Sequence, residues 1–141
     1  MKGSILILED SPTFADMMAL RLSGAFPRFD IHCANSLAQA KALIARHAFN
    51  VVLTDLNVGD SDGLNTAVAI RQITDAPIVI YSGLLREQQT IDQAVHLGFE
   101  DLFAKGDASS AELIERIQCL LDAQDPPVAA CRSSICRTAK G

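Results

Sequence analysis

Short hydrophobic runs alternate with helical patterns along most of the chain. Five runs have the length and composition of buried strands, and they cover residues 4–8, 29–34, 51–54, 77–81 and 102–104. The first is followed by Ser11-Pro12, which is typical of a helix start, and by Phe14, Met18 and Leu22 at four-residue spacing. Helical patterns also follow Ser36, cover 64–73 and 88–97, and begin again near Ser109. The chain therefore repeats a strand-helix unit five times.

This alternation predicts one α/β domain. A parallel sheet needs helices on both faces, and right-handed crossovers restrict the order of its strands. We expect a doubly wound, five-stranded parallel sheet of the flavodoxin-like type, with strand order 2-1-3-4-5. Pro126-Pro127 marks the end of the pattern. We therefore predict a domain over residues 1–123 and a disordered tail over 124–141.

Composition and charge narrow the class of protein. The 141 residues are 49% hydrophobic and carry a net charge of −5, which argues against non-specific binding of nucleic acid. No run approaches the roughly 20 apolar residues that span a bilayer, and no signal peptide is visible, so a cytoplasmic protein without membrane contact is expected. Cys33 and Cys119 lie in apolar segments and are predicted to be buried, whereas Cys131 and Cys136 are predicted to be exposed tail thiols.

Polar residues follow four of the five predicted strands. Glu9-Asp10 follow the first, Asp55 the third, Ser82 the fourth and Lys105 the fifth. Because the carboxyl ends of parallel strands open at one edge of the sheet, these side chains should converge in one pocket. Each residue alone has an ordinary explanation as a turn, cap or surface residue. Their joint occurrence predicts a functional site.

The chemistry of this set suits a divalent cation and a phosphoryl group. Adjacent carboxylates repel one another, and a hard cation relieves that repulsion. Mg²⁺ prefers oxygen ligands, so Asp10 and Asp55 are expected to coordinate it directly, Glu9 through water, and Asn57 through its backbone carbonyl. Lys105 and the Ser82 hydroxyl could then bind phosphoryl oxygens.

Five short motifs carry a resemblance to a known family: Leu6-Ile7-Leu8-Glu9-Asp10-Ser11, Leu53-Thr54-Asp55-Leu56, Asp62-Gly63-Leu64, Tyr81-Ser82-Gly83 and Ala104-Lys105-Gly106. With these motifs, the chain resembles the receiver domain of two-component response regulators over about residues 3–122. The resemblance implies that Asp55 accepts phosphate from a histidine kinase or a histidine phosphotransfer protein. It also implies that Glu9, Asp10, Asp55 and Asn57 hold Mg²⁺, that Ser82 and Lys105 bind the phosphoryl group, and that the chain is a signalling switch rather than an enzyme.

Phosphorylation should change the surface of the protein. Movement of Ser82 toward a phosphoryl group on Asp55 should displace the following loop, and with it the face formed by the fourth helix, fifth strand and fifth helix. That face is expected to bind a downstream protein, and phosphorylation-dependent homodimers are possible. Leu102 stands where the family normally has the aromatic residue of its output switch, and Gly59 stands where proline is typical in the loop after Asp55.

Two alternatives remain open. The chain could be a receiver-like interaction module that phosphorylation does not control. It could instead be a phosphatase with an aspartate nucleophile, of the haloacid-dehalogenase type. That class needs a second Asp two residues after the nucleophile, where this chain has Asn57.

Overall fold

The structure is a computed structural model, and it describes residues 3–105 and 110–124. Five parallel strands form its sheet: β1 (Gly3–Leu8), β2 (Phe29–Ala34), β3 (Val51–Thr54), β4 (Ile78–Ser82) and β5 (Asp101–Ala104). The helices of the described residues are α1 (Pro12–Ala25), α2 (Leu37–Arg46), α3 (Leu64–Arg71), α4 (Gln88–His96) and α5 (Ser110–Gln124). A 3₁₀ turn, Gly83–Arg86, joins β4 to α4.

The strand order is β2-β1-β3-β4-β5, which confirms the predicted fold class. β1 lies between β2 and β3, with Leu8 opposite both Ala34 of β2 and Thr54 of β3. From β1 the chain first adds β2 on one side of the sheet and then β3 on the other side. The carboxyl ends of β1 and β3 therefore lie next to each other where these two directions diverge. Ligands bind at such a point in open α/β sheets.

Two hydrophobic layers cover the sheet, because side chains in a strand alternate between its faces. Leu6 and Leu8 of β1 pack on one side with α2, α3 and α4, while Ile5 and Ile7 pack on the other with α1 and α5. Burial on both faces explains why β1, β3 and β4 read as continuous hydrophobic runs.

Local signals fix the helix ends. The Ser11 and Ser36 side chains accept hydrogen bonds from the backbone N–H groups of Phe14 and Gln39, as expected of N-caps. After α4 and its C-cap Leu97, Gly98 has φ +93, the left-handed backbone conformation in which helices commonly end at a glycine. The helix predicted over 64–73 ends earlier, at Arg71. Ser109, near which the last helix was predicted to begin, lies outside the described residues.

Two cysteines among the described residues correct one prediction. Cys33 and Cys119 are exposed rather than buried. Cys33 lies on β2, which is an edge strand, and Cys119 lies outside the buried stripe of α5 formed by Leu113, Ile117 and Leu121. Cys131, Cys136 and all of the predicted tail except Gln124 lie outside the described residues.

Candidate functional site

Main-chain hydrogen bonds continue past the strand ends and bring the site residues together. The N–H of Asp55 donates to the carbonyl of Leu8 at 3.0 Å, and the N–H of Glu9 donates to the carbonyl of Ala34 at 2.9 Å. Neighbouring strands lie about 4.8 Å apart, so residues that follow paired strands become neighbours. The carboxylates after β1 and β3 therefore meet because of the strand order, despite their separation in sequence.

Three carboxylates form one cluster. One oxygen from each of Glu9, Asp10 and Asp55 lies within 4.8 Å of the other two. Glu9 is buried, Asp55 is half-buried and Asp10 is exposed, so the cluster opens to solvent on the Asp10 side. Several carboxylate oxygens beside solvent are the ligand set that Mg²⁺ prefers, since this ion retains several waters. The residues present therefore fit the ion that the sequence predicted.

Lys105 supplies the cation of the site. Its Nζ lies 2.7 Å from Oδ2 of Asp55 and also donates to Oε1 of Glu9. β5 is separated from β3 by β4, so the lysine side chain crosses the end of β4 to reach the carboxylates. The backbone of Lys105 is bonded on both sides: its N–H donates to the Ser82 carbonyl, and its carbonyl accepts from the Arg86 guanidinium.

Burial and charge shift the pKa values of this pair. Desolvation is the largest effect on Glu9 and raises the pKa of its carboxyl group, although hydrogen bonds from Lys105 and the Ser11 N–H oppose that shift. Desolvation lowers the pKa of Lys105, but hydrogen bonds to Asp55 and Glu9 outweigh it and the net shift is upward. The lysine is therefore fully charged near neutral pH.

The oxygens of Glu9 and Asp55 already have partners. Oε1 of Glu9 accepts from Lys105 and Oε2 accepts from the Ser11 N–H at 3.1 Å. Oδ2 of Asp55 accepts from Lys105, and Oδ1 accepts from the Leu56 N–H at 2.7 Å. The charge at the centre of the site is thus compensated by one ammonium and two backbone N–H groups.

Ser82 and Asn57 lie beside the site with their side chains bonded elsewhere. Ser82 is 1% exposed, and its hydroxyl accepts a hydrogen bond from the Leu84 N–H at 3.2 Å. The Asn57 side chain accepts from the Gly63 N–H at 3.1 Å, which orders the loop after Asp55. Within the described ranges, neither side chain hydrogen-bonds to Asp55.

Sequence reasoning missed three residues that contact the site or its loops. The Lys105 Nζ lies 4.2 Å from the centre of the Phe14 ring, whereas Phe14 was assigned only to a helix face. The Asp60 carboxylate accepts from the Leu37 and Ala38 N–H groups at 2.7 and 3.0 Å. Thr66, which is fully buried, donates to the Leu56 carbonyl at 2.7 Å. Only Asp60 had a visible signal, because a short acidic residue in a loop commonly caps backbone N–H groups.

Sequence comparison identifies the family. A sequence model of the response regulator receiver domain matches residues 5–118. The chain therefore belongs to the response regulator receiver domain family, whose general role is a phosphorylation-controlled switch in two-component signalling. Receiver domains act with histidine kinases and downstream effectors, and they are signalling modules rather than enzymes.

Relatives and solved structures agree with this assignment. The chain is 34% identical over 105 residues to the transcriptional regulatory protein KdpE of Staphylococcus aureus, covering 74% of this chain and 44% of that protein. It is 27% identical over 117 residues to the regulatory protein VirG of Agrobacterium fabrum, covering 83% of this chain and 45% of that protein. The chain thus spans less than half the length of these curated relatives.

The fold matches solved receiver domains. The signal receiver domain of a DNA-binding response regulator from Colwellia psychrerythraea 34H has TM-score 0.76 and 28% identity, covering 85% of this chain and 98% of that chain. The beryllofluoride-activated receiver domain of RstA from Klebsiella pneumoniae has TM-score 0.74 and 24% identity, covering 84% and 98%. Among the described helices, none combines the length and the apolar composition needed to cross a membrane.

Proposed function

We propose that Asp55 accepts a phosphoryl group from the phosphohistidine of a histidine kinase or histidine phosphotransfer protein. Glu9, Asp10, Asp55 and the Asn57 carbonyl would hold Mg²⁺ for this reaction. The observation that carries the proposal is the 2.7 Å contact between Lys105 and Asp55, which lies within the cluster of three carboxylates. One cation and three acids at the carboxyl edge fit a site that gains and loses a dianionic group.

The transfer uses the carboxylate of Asp55 as nucleophile. One of its oxygens attacks phosphorus, the bond between phosphorus and the histidine nitrogen breaks, and the imidazole leaves with the bonding electron pair. When bound, Mg²⁺ supplies positive charge that offsets the phosphoryl oxygens and the three carboxylates. Lys105 already lies beside Asp55, so it adds a second positive charge without a change in its position.

The acyl phosphate would act as a switch through Ser82. Phosphorylation adds up to about two negative charges and three acceptor oxygens at Asp55. A hydroxyl can donate to one of those oxygens, and movement of Ser82 would shift the Gly83–Arg86 turn, α4 and the adjoining β5. We propose that the α4-β5-α5 face then binds a downstream protein or a second phosphorylated copy. The chain catalyses no reaction besides its own phosphorylation and slow dephosphorylation.

The proposal also includes the boundaries and the setting. We place the receiver domain over residues 1–123 and the tail over 124–141, with α5 continuing one residue past this boundary to Gln124. We place the protein in the cytoplasm, without direct contact to nucleic acid or membrane. The net charge of −5 supports the proposal that the chain does not bind nucleic acid or a membrane directly.

Labelling with radioactive acetyl phosphate tests the proposal. The wild-type chain with Mg²⁺ should acquire a label that hydroxylamine releases, as expected of an acyl phosphate, and chelation of Mg²⁺ should prevent labelling. Asp55→Asn should abolish the label, whereas the matched variant Asp75→Asn, at an exposed aspartate between α3 and β4, should retain it.

Each remaining outcome identifies an alternative. Absence of label in the wild-type chain would favour an interaction module that phosphorylation does not control. A label that survives Asp55→Asn would exclude Asp55 as the acceptor. Continuous turnover of p-nitrophenyl phosphate would favour a phosphatase.

A further inference from the structure

The first turn of α1 presents an aromatic ring to the proposed phosphorylation site. The ring of Phe14 lies under Lys105, with 4.2 Å between Nζ and the ring centroid. The ring also packs against Tyr81 of β4, with centroids 5.6 Å apart and planes inclined by 43°. Phe14 therefore contacts both the lysine of the site and the residue directly before Ser82.

Hydrogen bonds accepted by Glu9 and by Ser11 fix the position of this ring. Glu9 accepts the Ser11 N–H at 3.1 Å, and the Ser11 hydroxyl in turn caps α1 by accepting the Phe14 N–H at 3.4 Å. The same carboxylate also binds Lys105. Glu9 thus sets the position of the ammonium directly and the position of the ring through the helix cap.

The ring completes the environment of the ammonium. A lysine ammonium has three N–H donors, and two of them are taken by Glu9 and Asp55. The face of an aromatic ring carries partial negative charge and attracts a cation within about 6 Å of its centroid. Lys105 is 21% exposed, so little water competes with the ring.

A small cavity that Phe14 helps to line supports this view. A cavity of about 10 Å³ is lined by Phe14, Met18, Tyr81 and the residues around Glu9 and Asp55. A space of that size accommodates about one water molecule at most. A smaller side chain at position 14 would enlarge the cavity and let water in beside Glu9 and Asp55, the two partners of the ammonium.

We propose that Phe14 is a positioning residue, whose ring face holds the Lys105 ammonium against Asp55 before the phosphoryl group arrives. This inference rests on the proposed function. The positioning role of Phe14 also explains how the Lys105 side chain, which extends across the end of β4, is held beside Asp55. The ammonium is already in position before phosphorylation, because the Phe14 ring, Glu9 and Asp55 contact it from three sides.

Graded fluorination of the ring provides the sharpest test. Fluorine atoms withdraw electron density from the ring face while leaving the ring in place, so a series from one to three fluorines at position 14 weakens the cation contact stepwise. In the full chain, affinity for beryllofluoride with Mg²⁺ should fall steadily, by about three- to ten-fold at three fluorines. The labelling rate with acetyl phosphate should fall in parallel.

Two further measurements separate positioning from folding. The Lys105 side-chain protons should be shifted upfield by the Phe14 ring in the absence of Mg²⁺ and phosphate, and Phe14→Leu should remove that shift. Trifluorophenylalanine at Phe26, a buried ring elsewhere on the same face of the sheet, is the matched control and should leave beryllofluoride affinity unchanged.

The outcomes for this inference and for the proposed function are distinct. A wild-type chain that is labelled, with beryllofluoride affinity independent of fluorination at position 14, would overturn the positioning role alone. An unshifted Lys105 spectrum would overturn the contact itself. A wild-type chain that neither binds beryllofluoride nor is labelled would overturn the proposed function and the positioning role together, even if the ring contact were observed.

Discussion

Lys105 and Asp55 come from strands that are not neighbours, yet Nζ of one lies 2.7 Å from Oδ2 of the other. The same ammonium binds the buried Glu9, so one side chain compensates two of the three carboxylates. The contact ties β5 to the ends of β1 and β3. Any event that changes the charge on Asp55 therefore changes a bond to β5.

Removal of this ammonium should destabilise the fold. Lys105→Met leaves Glu9, which is 4% exposed, beside Asp55 and without its cation. We expect a loss of about 1–2 kcal/mol at pH 7, less than for a fully buried pair because Lys105 is partly exposed to solvent. Urea denaturation of both proteins measures the difference. A variant as stable as the wild-type chain would contradict the assigned role of the ion pair.

The stability lost in Lys105→Met should depend on pH in a defined direction. Burial raises the folded-state pKa of Glu9 above its ordinary value of 4.5, so the folded chain holds this proton more tightly than the unfolded chain does. Stability from this group therefore falls as pH rises from 4.5 through the folded pKa. Without Lys105 the pKa of Glu9 should rise further. The destabilisation by Lys105→Met should consequently grow with pH above 4.5 and shrink when Mg²⁺ is added.

The loop after Asp55 depends on a buried threonine. The Thr66 hydroxyl donates to the Leu56 carbonyl at 2.7 Å and lies 2.7 Å from the Ser61 hydroxyl. Thr66→Val keeps the shape but leaves the carbonyl without this donor, so we expect a loss of about 1–3 kcal/mol. Thermal and urea unfolding measure it, and Thr13→Val, at an exposed position of α1, is the control. Equal stability of the two variants would show that water replaces the hydroxyl.

Asp60 joins the same loop to the start of α2, and this contact should depend on pH. Hydrogen bonds from the Leu37 and Ala38 N–H groups lower the pKa of Asp60 below its ordinary value of 3.8. The contact therefore stabilises the fold fully above pH 3.8, and its contribution is lost as pH falls through the lower, folded-state pKa.

The matched comparison is between Asp60→Asn and the wild-type chain. An amide offers one acceptor oxygen in place of two, so the variant should melt at a lower temperature at pH 7. The difference in melting temperature should narrow below pH 3.8. Asp75→Asn, on an exposed loop, should show no comparable change. A difference in melting temperature between Asp60→Asn and the wild-type chain that is independent of pH would contradict this assignment.

The sequence predicted the sheet and the charged centre because both follow from strand order. Asp55 and Glu9 lie where strands 3 and 1 end, and the carboxyl-edge rule needs only strand ends. The contacts of Phe14 and the hydroxyl of Ser82 depend on where side chains point, which spacing does not determine. Cys33 was assigned to the core because its neighbours are apolar, but an edge strand leaves it exposed. The pairing of Asp60 with α2 spans 23 positions and has no local signal for its partner.

The first structural response to phosphorylation should occur in the Gly83–Arg86 turn after β4. The Leu84 N–H now donates to the Ser82 hydroxyl at 3.2 Å, and the Arg86 guanidinium donates to the Lys105 carbonyl at 2.7 Å. Beryllofluoride on Asp55 should draw Ser82 inward and lengthen the first bond, so the Leu84 amide should exchange faster with solvent. Because Arg86 links the turn to the end of β5, the change should extend through residues 82–105. Leu102, which stands where an aromatic residue is usual, should repack within the α2-α3-α4 layer rather than flip between two sites.

Amide hydrogen exchange with and without beryllofluoride and Mg²⁺ measures this response. The Asp55→Asn variant under the same conditions is the control and should show no change. Exchange that is unaltered across residues 82–105 in a wild-type chain that binds beryllofluoride would contradict propagation through Ser82. A response confined to the Asn57–Gly63 loop would instead place the switch on the other side of the site, where Asn57 and Asp60 fix the loop to its neighbours.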